Sequence, residues 1–498
     1  MGARRAERDN ALTPVFNPLS IAMAAVPSSL FDLPLSAAYD SARWSKAALD
    51  VWTGSLASAA AIEAKREQRL VALVAHAFEF SPFYSRLYRK LPVSSSSRLR
   101  LSDLPPVTKQ SLMAEFDDVM TEPTLTRRAV GEFVAQPDRC GGALLGRYSV
   151  WTSSGTTGEP GYFVHDPDAI AVYDALEWQR FRGVRSASDL ARQLIAGDRY
   201  AMVAATGGHF AGISTVERMR RSMPWLTASL RGFSLLQPLE RLVAELNEFR
   251  PTLLASYPTA AQMLADEQHA GRLKLRLREV WTGGETLAKP ARAQVQRAFG
   301  CPVRNSYGAS EFLPIAWECP YRRLHLNSDW VILEPIDHYG RPVAAGTRSH
   351  SVLLTNLANR IQPLIRYDLG DAVTIVDTPC GCGSRFPVMS VEGRTDEALV
   401  FPLTGGGTAT VVPLALTTVM EDDACVHDFQ VTQTAPRKLQ VRLGGDEHGS
   451  ASEVRRALSN YFDTLGIGGV SIDIARRPPA RDQVSGKLRR VICQLHHH

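Results

Sequence analysis

Residues 151–161 read Trp-Thr-Ser-Ser-Gly-Thr-Thr-Gly-Glu-Pro-Gly. Five hydroxyls and three glycines fall within eleven residues, and a β-rich run, Tyr148–Thr152, leads in. Glycines let successive backbone N–H groups converge on an anion, and serine and threonine hydroxyls add donors. The stretch reads as a phosphate cradle or as a flexible surface loop. It does not end in Gly-Lys-Ser/Thr, so it is not the common P-loop.

Outward from this loop, short β-rich runs alternate with helical stretches. The runs are Ala201–Ala205, Thr252–Ser256, Glu279–Thr282 and Val352–Thr355. Interleaved strands and helices predict an α/β layered body. Gly340 to Gly346 reads as a turn between strands Trp330–Glu334 and His350–Leu354. Upstream, Ala57–Phe80 has helical spacing, and Thr108 is placed to cap a helix after Leu104-Pro105-Pro106-Val107. Beyond residue 393 the texture changes. Val426–Thr432, Leu439–Leu443 and Val470–Ile474 alternate as strands around an amphipathic stretch, Ser452–Leu465. That predicts a small α+β unit of about a hundred residues. The expected division is a large unit over 1–393, with an arm over 1–45, a hinge at 394–396 and a small lid domain over 397–495. Residues 496–498 are three histidines that read as a tag remnant.

Bulk properties narrow the function. A chain of 498 residues is too long for one core. Basic residues number 56 against 51 acidic, a net charge of +5 that is spread out and gives no nucleic-acid footprint. Prolines 14, 18, 27 and 34 and Asp32 break the apolar N-terminal stretch, which is neither a spanning helix nor a secretory core. Stable membrane insertion is not expected. Seven scattered cysteines do not form a disulfide scaffold and favour a reducing compartment, the cytoplasm.

Residues 152–160 resemble the signature of the adenylate-forming superfamily, which holds acyl-CoA synthetases, peptide-synthetase adenylation domains and luciferases. Further stations follow in order: Trp281-Thr282-Gly283-Gly284-Glu285, Ser306-Tyr307-Gly308-Ala309-Ser310-Glu311, Tyr367-Asp368-Leu369-Gly370-Asp371, Gly393-Arg394-Thr395-Asp396 and Ser485-Gly486-Lys487. Ser81-Pro82-Phe83-Tyr84 with Leu104–Lys109 is similar to the phenylacetate–CoA ligase-like branch. The resemblance implies a large N-terminal domain of layered sheets and helices with a mobile C-terminal lid. It implies ATP-dependent activation of a carboxylic acid, aromatic or aryl-alkanoic, to an acyl-AMP with pyrophosphate release, then transfer to CoA.

The same resemblance assigns roles. Ser153, Ser154, Gly155, Thr156, Thr157 and Gly158 would hold the β- and γ-phosphates. Gly283, Gly284 and Glu285 would border adenine, with Ser306, Tyr307 and Gly308 beside it and Tyr307 stacked on it. Asp371 would take the ribose hydroxyls, aided by Arg394, and Glu311 would help hold Mg²⁺. Lys487 would bridge the α-phosphate and the incoming carboxylate, His209 would sit near that carboxylate, and Asp396 would be the hinge. His209, Phe210, Tyr257, Ala309, Phe312 and Pro314 are candidate pocket walls.

Cys319, His325, Cys380 and Cys382 supply three thiols and an imidazole, a tetrahedral zinc set. Relatives in this branch carry a similar set, which implies structural Zn²⁺. The residues after the hinge, Ala398–Gly407, lack the Arg-Gly pair usual in the CoA ligases. An amine or a carrier-protein thiol therefore stays open as the acyl acceptor, and a non-catalytic nucleotide-binding relative is the minor alternative.

Overall fold

The central strands of the chain carry side chains that avoid water on both faces, and this dictates what covers them. Leu253–Ser256 and Glu279–Thr282 are buried at every position, as strands of a parallel sheet with helices on both sides must be. A computed structural model describes residues 35–91, 100–153, 161–181, 197–206, 208–394, 399–411, 416–417, 419–426, 428–444, 451–475, 477–480 and 488–495. In it, nine strands form one sheet in the order Asp371–Val376, Val388–Arg394, Leu324–Leu326, Phe312–Glu318, Val303–Ala309, Glu279–Thr282, Leu253–Ser256, Tyr200–Ala204 and Leu230–Ser234. The last five run parallel. The hairpin from Val303–Ala309 into Phe312–Glu318 reverses direction, and the rest of the sheet is antiparallel. The α/β layered body read from the sequence is thus present.

Local chemistry starts and stops the helices around this sheet. Thr108 accepts the Ser111 N–H at 3.2 Å and caps Lys109–Ala114. Pro258 opens the helix Pro258–His269, where its missing N–H is no loss. Gly300, with φ of +63°, closes Lys289–Phe299. The expected turn at 340–346 joins Val331–Ile336 to Ser351–Asn356 as an antiparallel pair. The last part of the arm expected over 1–45 belongs to a helix, Leu35–Leu56, that packs against Pro167–Leu176. The prolines upstream end before it. Beneath it, Arg180 makes a two-pronged ion pair with Asp329 at 2.7 and 2.6 Å, with both side chains buried. Residues 1–34 and 496–498 lie outside the described residues.

From Leu399 onward the chain builds its own core. A four-stranded sheet in the order Ser471–Ala475, Lys438–Leu443, Phe429–Ala435, Val491–Cys493 is covered by the helix Ala451–Thr464. That helix buries Val454, Ala457, Leu458 and Phe462, a three-to-four spacing that puts all four on one face. They pack with Leu399, Phe401, Phe429 and Val441, in a cluster separate from the two main clusters of the body. No helix among the described residues is long and apolar enough to cross a membrane.

Candidate active site

The order of the parallel strands locates a crevice before any motif is consulted. The chain leaves Tyr200–Ala204 for Leu230–Ser234 on one side, then returns to Leu253–Ser256 on the other. Connections that part in this way leave a gap at the carboxyl ends of the strands, where open α/β sheets bind ligands. The residues that follow these strands are 205–210 and Tyr257. His209, Phe210 and Tyr257 therefore sit at the switch point.

The other stations are drawn to the same end of the sheet by hydrogen bonds. Thr152 donates its N–H to the His209 carbonyl at 2.8 Å, and Ser310 Oγ donates to the Thr152 carbonyl at 3.0 Å. Ser306 Oγ donates to the Thr282 carbonyl at 3.4 Å. The Tyr307 hydroxyl donates to the Asp371 carboxylate, so the stretches around residues 307 and 371 touch. Ser153 Oγ accepts the Gly161 N–H at 3.0 Å and pins the two ends of the glycine-hydroxyl loop together. Ser154, Gly155, Thr156, Thr157 and Gly158 lie outside the described residues, as do Asp396 and Lys487. For Arg394 the backbone alone is described.

Gly308 has a steric reason to be glycine. The hairpin slips register between Tyr307 and Ala309, and a Cβ on Gly308 would lie 1.7 Å from the Leu313 carbonyl oxygen. Gly284, with φ of +76°, turns the chain toward Glu285. Glu285 then caps the helix Pro258–His269: Oε2 accepts the Thr259 N–H at 3.1 Å and the Thr259 hydroxyl at 2.8 Å. A carboxylate suits a helix N-terminus. Its other oxygen accepts the Leu488 N–H at 3.2 Å, and Arg490 donates to Gln262 of the same helix at 2.8 Å. The C-terminal unit is thereby joined to the Gly283–Glu285 loop one residue after Lys487.

The pocket candidates divide. Phe210, Tyr257 and Ala309 are half-buried. Phe312 is fully buried in the main core, edge-on to Tyr173 at 4.8 Å, and Pro314 is buried with its carbonyl held by Asn327. Phe312 and Pro314 therefore back the site rather than face an open pocket. His209 is also buried. Its Nε2 faces the Gln136 carbonyl at 3.1 Å, its ring packs on Phe133, and Nδ1 meets no partner among the described residues. Burial pushes its pKa down, so a neutral ring donates through Nε2.

A set of side chains not foreseen from the sequence clamps the hairpin Ser149–Thr152/Tyr162–His165 from behind. Gln362 accepts the Val164 N–H at 2.7 Å and donates to the Tyr162 carbonyl at 3.0 Å. Asn359 donates to the Val164 carbonyl at 2.8 Å, and Asn356 donates to the Glu311 carbonyl at 2.9 Å. The signal in the sequence is the spacing Asn356-x-x-Asn359-x-x-Gln362.

Cys319, His325, Cys380 and Cys382 converge. Each offers a donor atom, and all four atoms lie within 4.8 Å of one another. Cys319 Sγ is 3.7 Å from Cys380 Sγ, and Cys382 Sγ is 3.3 Å from His325 Nε2. A tetrahedral zinc ion sets S···S at about 3.8 Å and S···N at about 3.5 Å. His325 Nδ1 faces the Phe386 carbonyl at 2.9 Å, which turns Nε2 toward the thiols. Burial pushes the His325 pKa down and favours the neutral ligand form. The donor set fits zinc.

Comparison with known proteins agrees with this geometry. Residues 108–350 match the AMP-binding enzyme family. A phenylacetate–coenzyme A ligase of Thermus thermophilus is 27% identical over 466 residues, covering 86% of this chain and 96% of that protein. A phenylacetate–coenzyme A ligase of Escherichia coli is 26% identical over 365 residues, covering 69% and 74%. The fold is that of 2-hydroxyisobutyryl-CoA ligase in the postadenylation state in complex with R3-HIB-AMP, with a TM-score of 0.61 at 21% identity over 86% of this chain and 89% of that one.

Proposed function

We propose, from the match of residues 108–350 to the AMP-binding enzyme family, that the chain is an adenylate-forming acid–CoA ligase. The observation that carries this reading is the set of hydrogen bonds joining stretches from Thr152 to Leu488 at one end of the sheet. A site assembled from so many distant segments suits a reaction between two anions.

In the first half-reaction a carboxylate oxygen attacks the α-phosphorus of ATP, the bond from that phosphorus to the β-bridging oxygen breaks, and pyrophosphate leaves. The protein must align the reactants and offset their repulsion. Residues 153–158 would hold the β- and γ-phosphates. Tyr307 would cover adenine, Asp371 with Arg394 would take the ribose hydroxyls, and Lys487 would stand between the α-phosphate and the acid. The Glu285–Leu488 contact supports that position for Lys487, since it fixes the next residue at the site. Glu311 is a buried carboxylate, a hard oxygen ligand of the kind Mg²⁺ takes. Mg²⁺ there would neutralise triphosphate charge. Zinc held by the Cys/His set would be structural, tying the strand end at Cys319 to the segment after Val376.

In the second half-reaction the CoA thiol attacks the acyl carbonyl and AMP leaves, with the lid turning about Asp396. The similarity to phenylacetate–CoA ligase along most of both chains supports CoA as acceptor. It also supports an aromatic or aryl-alkanoic acid, which the half-buried Phe210, Tyr257 and Ala309 would border. The seven free cysteines fit a reducing cytoplasm. A second reading, transfer to an amine or a carrier-protein thiol, rests on the absence of an Arg-Gly pair in 398–407.

The test is pyrophosphate release across a panel of carboxylic acids, followed by AMP release with CoA, amine or carrier protein added. Lys487→Ala is expected to slow acyl-AMP formation ~10²–10³-fold while ATP still binds. Release at the normal rate by that variant would remove Lys487 from the mechanism.

A further inference from the structure

Behind the Ser310–Glu311 turn lies a chain of hydrogen bonds whose direction is fixed at both ends. Asn356 Oδ1 accepts the backbone N–H groups of Ala358 and Asn359 at 3.0 and 3.2 Å. That settles which side of the amide is nitrogen. Asn356 Nδ2 therefore donates twice, to the Glu311 carbonyl at 2.9 Å and to the Tyr173 hydroxyl oxygen at 2.8 Å. With its oxygen so engaged, Tyr173 donates to His165 Nδ1, 3.3 Å away. His165 Nε2 then carries the proton and donates it to the Ser310 carbonyl at 3.0 Å. A carbonyl can only accept, so the two ends demand this polarity and the Nε2–H tautomer. His165, Tyr173 and Asn356 are 0%, 2% and 0% exposed, and Trp151 stacks over the His165 ring at 4.2 Å.

We propose that His165, Tyr173 and Asn356 are positioning residues that fix the consecutive carbonyls of Ser310 and Glu311, and so fix the Glu311 turn relative to Thr152, which precedes the glycine-hydroxyl loop in sequence. The circuit closes through Ser310 Oγ, which donates to the Thr152 carbonyl immediately before that loop. A turn at a hairpin end ordinarily points its carbonyls to water and moves freely. Here both are held by side chains from separate elements: His165 at the end of Tyr162–His165, and Asn356 at the end of Ser351–Asn356. The consequence for cation and ATP binding rests on the ligase reading, whereas the restraint on the turn does not.

Two measurements on the full chain separate these. Tyr173→Phe keeps the ring and removes the relay oxygen. Amide hydrogen exchange in peptides covering 306–314 is expected to speed up about tenfold, as for loss of one such bond, with 429–443 unchanged. Labelled His165 should show the Nε2–H tautomer. Exchange at 306–314 that matches the wild type, exchange that rises equally everywhere, or the Nδ1–H tautomer would each overturn the relay. In pyrophosphate release, the variant should raise KM for Mg-ATP about tenfold with KM for the acid unchanged, and His165→Gln should retain more activity than His165→Ala. A lowered melting temperature with unaltered KM for Mg-ATP would mean the relay is structural only. Wild-type protein that turns over no acid would refute the ligase reading, and the exchange pattern would still decide the relay.

Discussion

Two buried polar knots tie distant parts of this chain, and they are completed differently. The amide clamp joins Tyr162–His165 to residues 356–362, nearly two hundred positions away, and its donors meet acceptors within the protein. The thiol–imidazole cluster joins Cys319 and His325 to Cys380 and Cys382, and its four donor atoms face one another. The clamp is finished by hydrogen bonds alone, while the cluster has the form of a ligand set that a cation finishes. Neutral amides can be matched internally, but three thiols and an imidazole offer one another only weak bonds.

The largest test removes the cation. Chelation of protein lacking the histidine tail is expected to lower unfolding stability by about 4 kcal/mol, read from urea melts beside metal analysis. Protein free of zinc and indifferent to chelator would reduce the cluster to an ordinary sulfur contact. Next, Asn356→Ala strands the Glu311 carbonyl, the Tyr173 hydroxyl and two backbone N–H groups in the core. A loss of about 3 kcal/mol is expected, and it should be the same with and without chelator. Dependence on metal would mean the two knots are not independent.

A third test uses pH. Burial drives the His165 pKa down to about 3, against a partial upward pull from its bond to Ser310. The unfolded ring binds its proton below about pH 6.5 while the folded ring does not. The clamp's contribution is therefore complete above that pH and falls away toward pH 3, by no more than about 1.4 kcal/mol per unit. His165→Gln should flatten the stability curve between pH 6 and 4, and an unchanged slope would deny the buried neutral histidine. The smallest test is labelling. Exposed Cys425 should react with an alkylating reagent whatever the metal content, and half-buried Cys382 only after chelation.

The two knots were also unequally legible. Thiol and imidazole ligands are few in kind, so Cys319, His325, Cys380 and Cys382 stand out as a set before their geometry is known. The strands of the body were legible too, because runs such as Thr252–Ser256 place apolar residues, Leu253, Leu254 and Ala255, on both faces. The clamp was not. Asn356, Asn359 and Gln362 draw no notice in the sequence, since their partners are backbone groups far away in the chain. Gly308 could be marked by its motif, but the Leu313 carbonyl that excludes a side chain belongs to the facing strand. Phe312 and Pro314 read as wall residues because proximity in sequence to Glu311 cannot say which face of a strand is covered. The helix from Leu35 was hidden by the prolines before it.

The contact between Glu285 and the C-terminal unit has a consequence for interchangeability. Its donor is the main-chain N–H of Leu488, and its acceptor is a side chain already anchored to Thr259. At this one contact the side-chain chemistry stands on the body's side alone. A C-terminal unit transplanted from a distant relative would engage Glu285 whatever residue, other than proline, it brought to that position. The Arg490–Gln262 contact, by contrast, would be lost unless the incoming unit kept a donor at position 490.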